Sequence, residues 1–135
     1  MEYVKVGGKE YKATISGRMS DPQWGNRQTK KIHFMKGEMD FDTVRELFVD
    51  GVAWSIISEW EEQQPKIDPD TGEVVVDPET GEPVYIIIPH RDEYDNSDFN
   101  LAGYIVDNRD GTVEVNMGKL TELEEAYEII LGGLL

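Results

Sequence analysis

The sequence predicts an α+β fold: a mainly antiparallel β-sheet or sandwich with two short helices and a projecting β-ribbon. Three observations carry this. Short apolar runs alternate with polar residues and are parted by glycine- and aspartate-containing turns through most of the chain. Only two stretches switch to helical spacing, one after Asp40 and one after Thr121. Two nearly identical turn sequences, nine residues apart, sit between strand-like runs at residues 63–84. With 135 residues, the chain suits a single domain spanning 1–135, large enough to bury a core.

Tyr3 to Val6, Gly7-Gly8 and Glu10 to Ile15 read as a hairpin, since two glycines can take the positive φ angles of a tight turn. Tyr11, Ala13 and Ile15 share one face of its second arm, and Ser16-Gly17 is expected to end it. Met19 to Thr29, with Asp21-Pro22 and Trp24-Gly25-Asn26, reads as a loop. Lys30 to Met35 is a third strand, with Ile32 and Phe34 on its apolar face.

The stretch from Asp40 to Trp60 is central. Asp40 or Asp42 can cap a short helix whose apolar face is Phe41, Val44, Leu47 and Phe48. Asp50-Gly51 stops it. Ala53, Trp54, Ile56, Ile57 and Trp60 then make a strand too apolar for an open edge, with both tryptophans expected in the core or at its rim.

Between 63 and 84, Asp68-Pro69-Asp70-Thr71-Gly72-Glu73 returns as Asp77-Pro78-Glu79-Thr80-Gly81-Glu82. Each copy is a tight-turn sequence, and the pair suits a ribbon inserted into the domain. Tyr85 to Ile88 is a strand that Pro89 should end, and His90 to Asp98 reads as a polar loop. Phe99 to Val106 and Thr112 to Met117 form a second hairpin around Asp107 to Gly111, with Val113, Val115 and Met117 facing inward. Residues 121–131 form the C-terminal helix. Thr121 and Glu124 make a capping box, Leu123, Ala126, Tyr127, Ile130 and Leu131 form the apolar face, and Gly132-Gly133 ends it.

The net charge of −15 is unevenly spread. Residues 1–36 carry +5, residues 37–58 carry −4, residues 59–98 carry −11 and the remainder −5. Such a chain repels nucleic acid and anionic membranes, and it either attracts a basic partner or simply stays soluble. With no cysteine, there is neither a disulfide framework nor a thiol nucleophile. No run approaches the ~20 apolar residues of a membrane span, and the N-terminal residues lack the apolar core of a secretion signal. The expectation is a soluble protein that is not exported by a cleaved signal.

Motifs for chemistry fail on spacing. His90-Arg91-Asp92 matches three residues of a kinase catalytic loop, but no glycine-rich phosphate loop accompanies it. Gly7-Gly8-Lys9 lacks phosphate-loop spacing. Asp68, Asp70 and Glu73, or Asp107, Asn108 and Asp110, or Asp92, Asp95 and Asp98 offer oxygen ligands, yet none fits a calcium loop. Turns need the same residue types. His33 and His90 have no partner at a telling spacing and read as structural. The residues therefore point to no catalytic group, no metal and no cofactor.

Four segments together are familiar: Ile15-Ser16-Gly17 with Asp21 and Trp24 to Lys30; Leu47 to Ile57; Asp92 to Gly103; and Asp107 to Lys119 running into the last helix. The pattern resembles small proteins encoded among the structural genes of tailed phages and prophages of Gram-positive bacteria. The likeness leaves out residues 63–84. It implies a non-enzymatic structural or tail-assembly role, with other phage structural proteins or further copies of the chain as partners. It also implies residence in the host cytoplasm during assembly and then in the virion, and it transfers no site residues.

The residues themselves suggest where partners would bind. Trp60 sits beside Glu59, Glu61 and Glu62, and an arm from Pro65 to Tyr85 follows. Asp92, Asp95 and Asp98 form an acidic patch, and the tail is apolar through Leu134 and Leu135. Candidate partner-binding residues are thus Trp60, Tyr85, Asp92, Asp95, Asp98, Leu134 and Leu135. The alternative function is an acidic nucleic-acid mimic that inhibits a host DNA-binding protein, suggested by the −11 of residues 59–98.

Overall fold

The computed structural model describes residues 1–134. It contains one seven-stranded antiparallel sheet and two α-helices, as the sequence predicts, without a second sheet to make a sandwich. The strands are β1 (Glu2–Val6), β2 (Lys9–Asp21), β3 (Arg27–Phe34), β4 (Trp54–Pro65), β5 (Tyr85–Asp95), β6 (Leu101–Asp107) and β7 (Val113–Gly118). Their order across the sheet is β5-β4-β1-β2-β3-β7-β6. Helix α1 is Phe41–Leu47 and helix α2 is Glu122–Leu134.

The chain parts into two compact units, and β4 and β5 each run from one into the other. The sheet unit comprises Glu2–Ile57 and the residues from Glu93 onward. The ladder unit comprises Met1 and Ser58–Asp92.

The sheet unit holds the core. Val4, Val6, Ala13, Ile32, Phe34, Val113, Val115 and Met117 come from four neighbouring strands, and Val44 of α1 and Phe48, which caps its C-terminal end, cover them. Phe34 meets Tyr11 edge-on at 6.3 Å, Phe48 lies 5.8 Å from Phe34, and Trp54 lies 6.4 Å from Phe48. The Trp54 indole N–H donates to the Phe99 carbonyl at 2.9 Å, so burial of the indole leaves no unpaired donor. Asp40 caps α1, accepting from the Thr43 N–H at 2.7 Å.

Several boundaries depart from the sequence reading. Gly17 does not end β2; it pairs with Lys30, and the strand runs on to Asp21. The expected loop from Met19 to Thr29 shrinks to the 3-10 turn Pro22–Trp24 with Gly25 and Asn26, both at positive φ. Pro89 does not end β5, because β5 is the last strand of the sheet and a proline on an edge forfeits no ladder bond. His90 to Asp95 is therefore strand rather than loop. The strand from Ala53 to Trp60 is less buried than expected: Trp54 and Ile57 are enclosed, whereas Trp60 is 45% exposed. Gly132 lies within α2, which continues to Leu134.

The ladder unit is built on different terms. Its two repeated turns are the same structure twice. The Asp68 N–H donates to the Glu73 carbonyl, and the Asp77 N–H to the Glu82 carbonyl, both at 2.8 Å. The Asp68 and Asp77 carboxylates accept from the N–H of Asp70 and Glu79 at 2.9 and 2.8 Å. Gly72 and Gly81 take φ of 71° and 72°. The three segments that flank these turns bond in a closed cycle, Lys66 N–H to Val84, Val84 N–H to Val75, and Val75 N–H to Lys66. The acids of these turns act as turn-formers. Among the described residues no group of three or more carboxylates or histidines is placed to hold a metal ion.

Candidate functional site

In the ladder unit, β4 presents Glu59 to Glu62 and β5 presents Pro89 to Arg91. The Trp60 indole and the His90 ring stack at 5.3 Å with 19° between their planes. His90 Nε2 lies 2.7 Å from Glu62 Oε2, and the Arg91 guanidinium donates to Glu59 Oε1 at 2.9 Å. Hydrogen bonds from Gln64 and then His90 hold the Glu62 carboxyl below its usual range. These pairs fix the backs of the side chains around a cavity of about 560 Å³ lined by Glu59, Trp60, Glu61, Pro89, His90 and Arg91. The His-Arg-Asp triplet thus lies on a strand, its histidine and arginine bound to carboxylates.

Around this cavity the surface is unusually apolar for so acidic a segment. Trp60, Ile67, Val74, Val76, Tyr85, Ile86 and Ile87 are each 41–64% exposed. No residue from Ser58 to Asp92 is buried. Ten carboxylates and two cations, Lys66 and Arg91, share this span. Exposed aromatic and aliphatic groups rimmed by charge have the composition of a protein-binding surface.

Of the sequence-predicted residues, Trp60, Tyr85 and Asp92 belong to the ladder unit, with Trp60 in the cavity wall and Tyr85 opening β5. Asp95 and Asp98 belong to the sheet unit. Asp95 is occupied locally: the Ser97 hydroxyl and N–H bond its carboxylate and lower its pKa. Leu135, and the side chain of Leu134, lie outside the described residues. The apolar face expected on α2 does form, but Leu123, Tyr127, Ile130 and Leu131 are exposed rather than packed.

A second surface escaped the sequence reading. On the sheet face opposite the core, Ser16 pairs with Lys31 and Lys31 with Asn116, while Thr14 pairs with His33 and His33 with Glu114. His33 Nδ1 lies 2.8 Å from Glu114 Oε1. Trp24 lies over this face at Gly103 and Gly118, where any Cβ would fall 2.7–2.8 Å from its ring. Arg27 sits 5.0 Å from the Trp24 ring centroid and holds Glu124 through two bonds of 2.7 and 3.1 Å. Glu124 also accepts from the Thr121 N–H, completing the capping box, and its pKa is driven down to about 2, first by Arg27. Arg18 and Lys31 remain at the rim beside Tyr104 around a cavity of about 240 Å³. The signal for this surface was present as the basic count of residues 1–36, but only strand register shows which cations share a face.

No protein-family model, curated protein or solved structure matches this chain.

Proposed function

We propose that this chain is a non-enzymatic structural or tail-assembly protein of a phage or prophage, acting through protein–protein contacts. The observation that carries the reading is the ladder unit: seven large apolar side chains lie exposed there and none is buried. A free surface of that kind is costly in water and is relieved when a partner covers it. The four-segment resemblance supplies the setting, assembly in the host cytoplasm followed by residence in the virion. The partners are other structural proteins of the particle or further copies of the chain.

The test is mass spectrometry of purified particles and assembly intermediates from a lysate in which the gene carries an affinity tag. The chain should be present at fixed stoichiometry. Its absence from every particle fraction would overturn the reading.

The −11 charge of residues 59–98 favours a second reading, an acidic mimic that inhibits a DNA-binding protein. Several of those acids are already engaged: Glu59 by Arg91, Glu62 by His90, and Asp68 and Asp77 in turns. That internal use weakens the case for mimicry, which needs unpaired negative charge. Salt-sensitive inhibition of a basic nuclease would revive it.

A further inference from the structure

We propose that the face of the sheet unit opposite the core binds a small free α-amino acid with an apolar side chain. The site lies wholly in the sheet unit and needs nothing from the ladder unit.

Two cavities open on this face, of about 240 and 310 Å³, and both are lined by Asp21, Gln23, Tyr104 and Asn116. Strand register brings the parts together: Lys31 of β3 pairs with Ser16 of β2 on one side and with Asn116 of β7 on the other.

Two of the shared residues are enclosed polar groups with bonding capacity left over. Asn116 is 3% exposed, and its side-chain amide makes no hydrogen bond among the described residues. Asp21 is 6% exposed; one carboxylate oxygen accepts from the Gln23 N–H at 3.0 Å, and the other has no hydrogen bond among the described residues. Among those residues no fully enclosed side-chain polar atom lacks a partner, so the unbonded atoms of both groups open onto the cavities they line. Enclosing polar groups without partners costs stability, and a ligand that bonds them removes the cost.

The charges select the ligand. Arg18 and Lys31 line the smaller cavity. Arg18 stands 3.9 Å from Asp21, at the outer limit of ion pairing. Lys31 is attracted to Glu114, whose carboxylate His33 already bonds, and it makes no ion pair among the described residues. Two cations thus stand among two carboxylates. A simple anion would meet Asp21, and a simple cation would meet Arg18 and Lys31. A zwitterion answers both signs. Its ammonium donates to Asp21 and to the Asn116 amide oxygen, and its carboxylate accepts from the Asn116 amide N–H and from Arg18 or Lys31.

The larger cavity takes the rest of the ligand. There the cations give way to Trp24, Ala102 and Gly103. Gly103 carries no side chain to fill the space, and an indole, a methyl group and the Tyr104 ring make an apolar wall. An apolar side chain fits that wall; a charged one does not.

Isothermal titration calorimetry of the full chain tests this with leucine, methionine and phenylalanine. Two half-ligands, 3-phenylpropionate and phenethylammonium, lack one charge each. At least one of the three amino acids should bind, and each half-ligand should bind about tenfold more weakly than phenylalanine or less tightly still. Two variants locate the site: Asn116→Ala, and Arg18→Gln with Lys31→Gln. Each should weaken binding about tenfold. Asn116→Ala should do so without lowering the urea midpoint, because the amide it removes has no partner in the fold. If circular dichroism shows that Asn116→Ala does not fold, the Arg18 and Lys31 variant decides alone, since it alters only side chains at the rim. The inference is overturned if none of the three amino acids binds. It is equally overturned if a half-ligand binds as tightly as phenylalanine, or if a folded variant keeps full affinity.

Discussion

The two units of this molecule meet the same requirement by opposite means. In the sheet unit, β1, β2, β3 and β7 turn one face inward, and Val44 of α1 and Phe48 at its C-terminal cap cover it. In the ladder unit, β4 and β5 continue as strands with nothing buried between Ser58 and Asp92. The first is held by hydrophobic burial, which is cooperative and non-directional. The second is held by backbone ladders, Asx-type turns and the pairs Trp60–His90, Glu62–His90 and Glu59–Arg91, each worth little in water. A two-stranded ribbon of that kind is marginal alone. The difference teaches where stability resides: the sheet unit holds a core of its own, whereas the ladder unit is held by directional bonds at its surface.

The largest expected effect breaks the sheet unit. Phe34 is fully enclosed and touches both Tyr11 and Phe48. Phe34→Ala should cost about 3–5 kcal/mol, through lost burial and the cavity left behind. Urea unfolding followed by Trp54 fluorescence measures it, with Trp24→Phe and Trp60→Phe removing the signals of the other two indoles. A cost below about 1 kcal/mol would mean that the core does not carry the fold.

Next comes the opposite face of the same sheet. A Cβ at Gly103 would lie 2.5 Å from the Asn116 carbonyl and 2.8 Å from the Trp24 ring. The ring could swing away, but the carbonyl belongs to the neighbouring strand. Gly103→Ala should therefore cost about 1–3 kcal/mol, and Trp24→Ala should recover only part of it. Full recovery would show that the ring alone sets the requirement for glycine.

The legible part of this fold was its pattern, and the illegible part was its context. Val113, Val115 and Met117 could be read as core because alternation alone separates two faces of a strand. The capping box of Thr121 and Glu124 was legible because its bonds are local. Pro89 misled because its effect depends on whether a strand is an edge, a property of sheet order rather than of neighbours in sequence. Gly17 misled for the same reason: its partner, Lys30, lies on another strand. At the candidate site Trp60 was visible as an aromatic among acids, but His90 as its stacking partner was not, because the 29 intervening residues must fold before the two rings meet.

A pH titration sharpens the comparison at a single ion pair. Glu124 has its pKa lowered from 4.5 to about 2, with Arg27 as the first cause. A depressed carboxylate pKa means that its contribution is complete above the unfolded value. It is lost as pH falls from about 4.5 through about 2. Carbon-detected NMR of the Glu124 carboxyl should show that low midpoint, and Arg27→Ala should return it toward 4.5. A midpoint near 4.5 in the unaltered chain would mean that Arg27 does not hold the start of α2.

The smallest effect on global stability is expected where the molecule repeats itself. Gly72 and Gly81 hold the same φ in the same hydrogen-bonded turn, and a Cβ at either would meet nothing within 4 Å. Replacing either by alanine removes no contact and introduces only the strain of a left-handed residue, about 1 kcal/mol within the turn. Because the ladder unit has no core through which to transmit that strain, Gly72→Ala and Gly81→Ala should leave the urea midpoint within error. Each should instead raise the exchange rate of its own turn amides, Asp68 in one case and Asp77 in the other, about fivefold by hydrogen–deuterium exchange. Equal acceleration of both turns by either substitution would mean that the cycle through Lys66, Val75 and Val84 couples them. The ladder unit would then open as one cooperative piece despite lacking a buried residue.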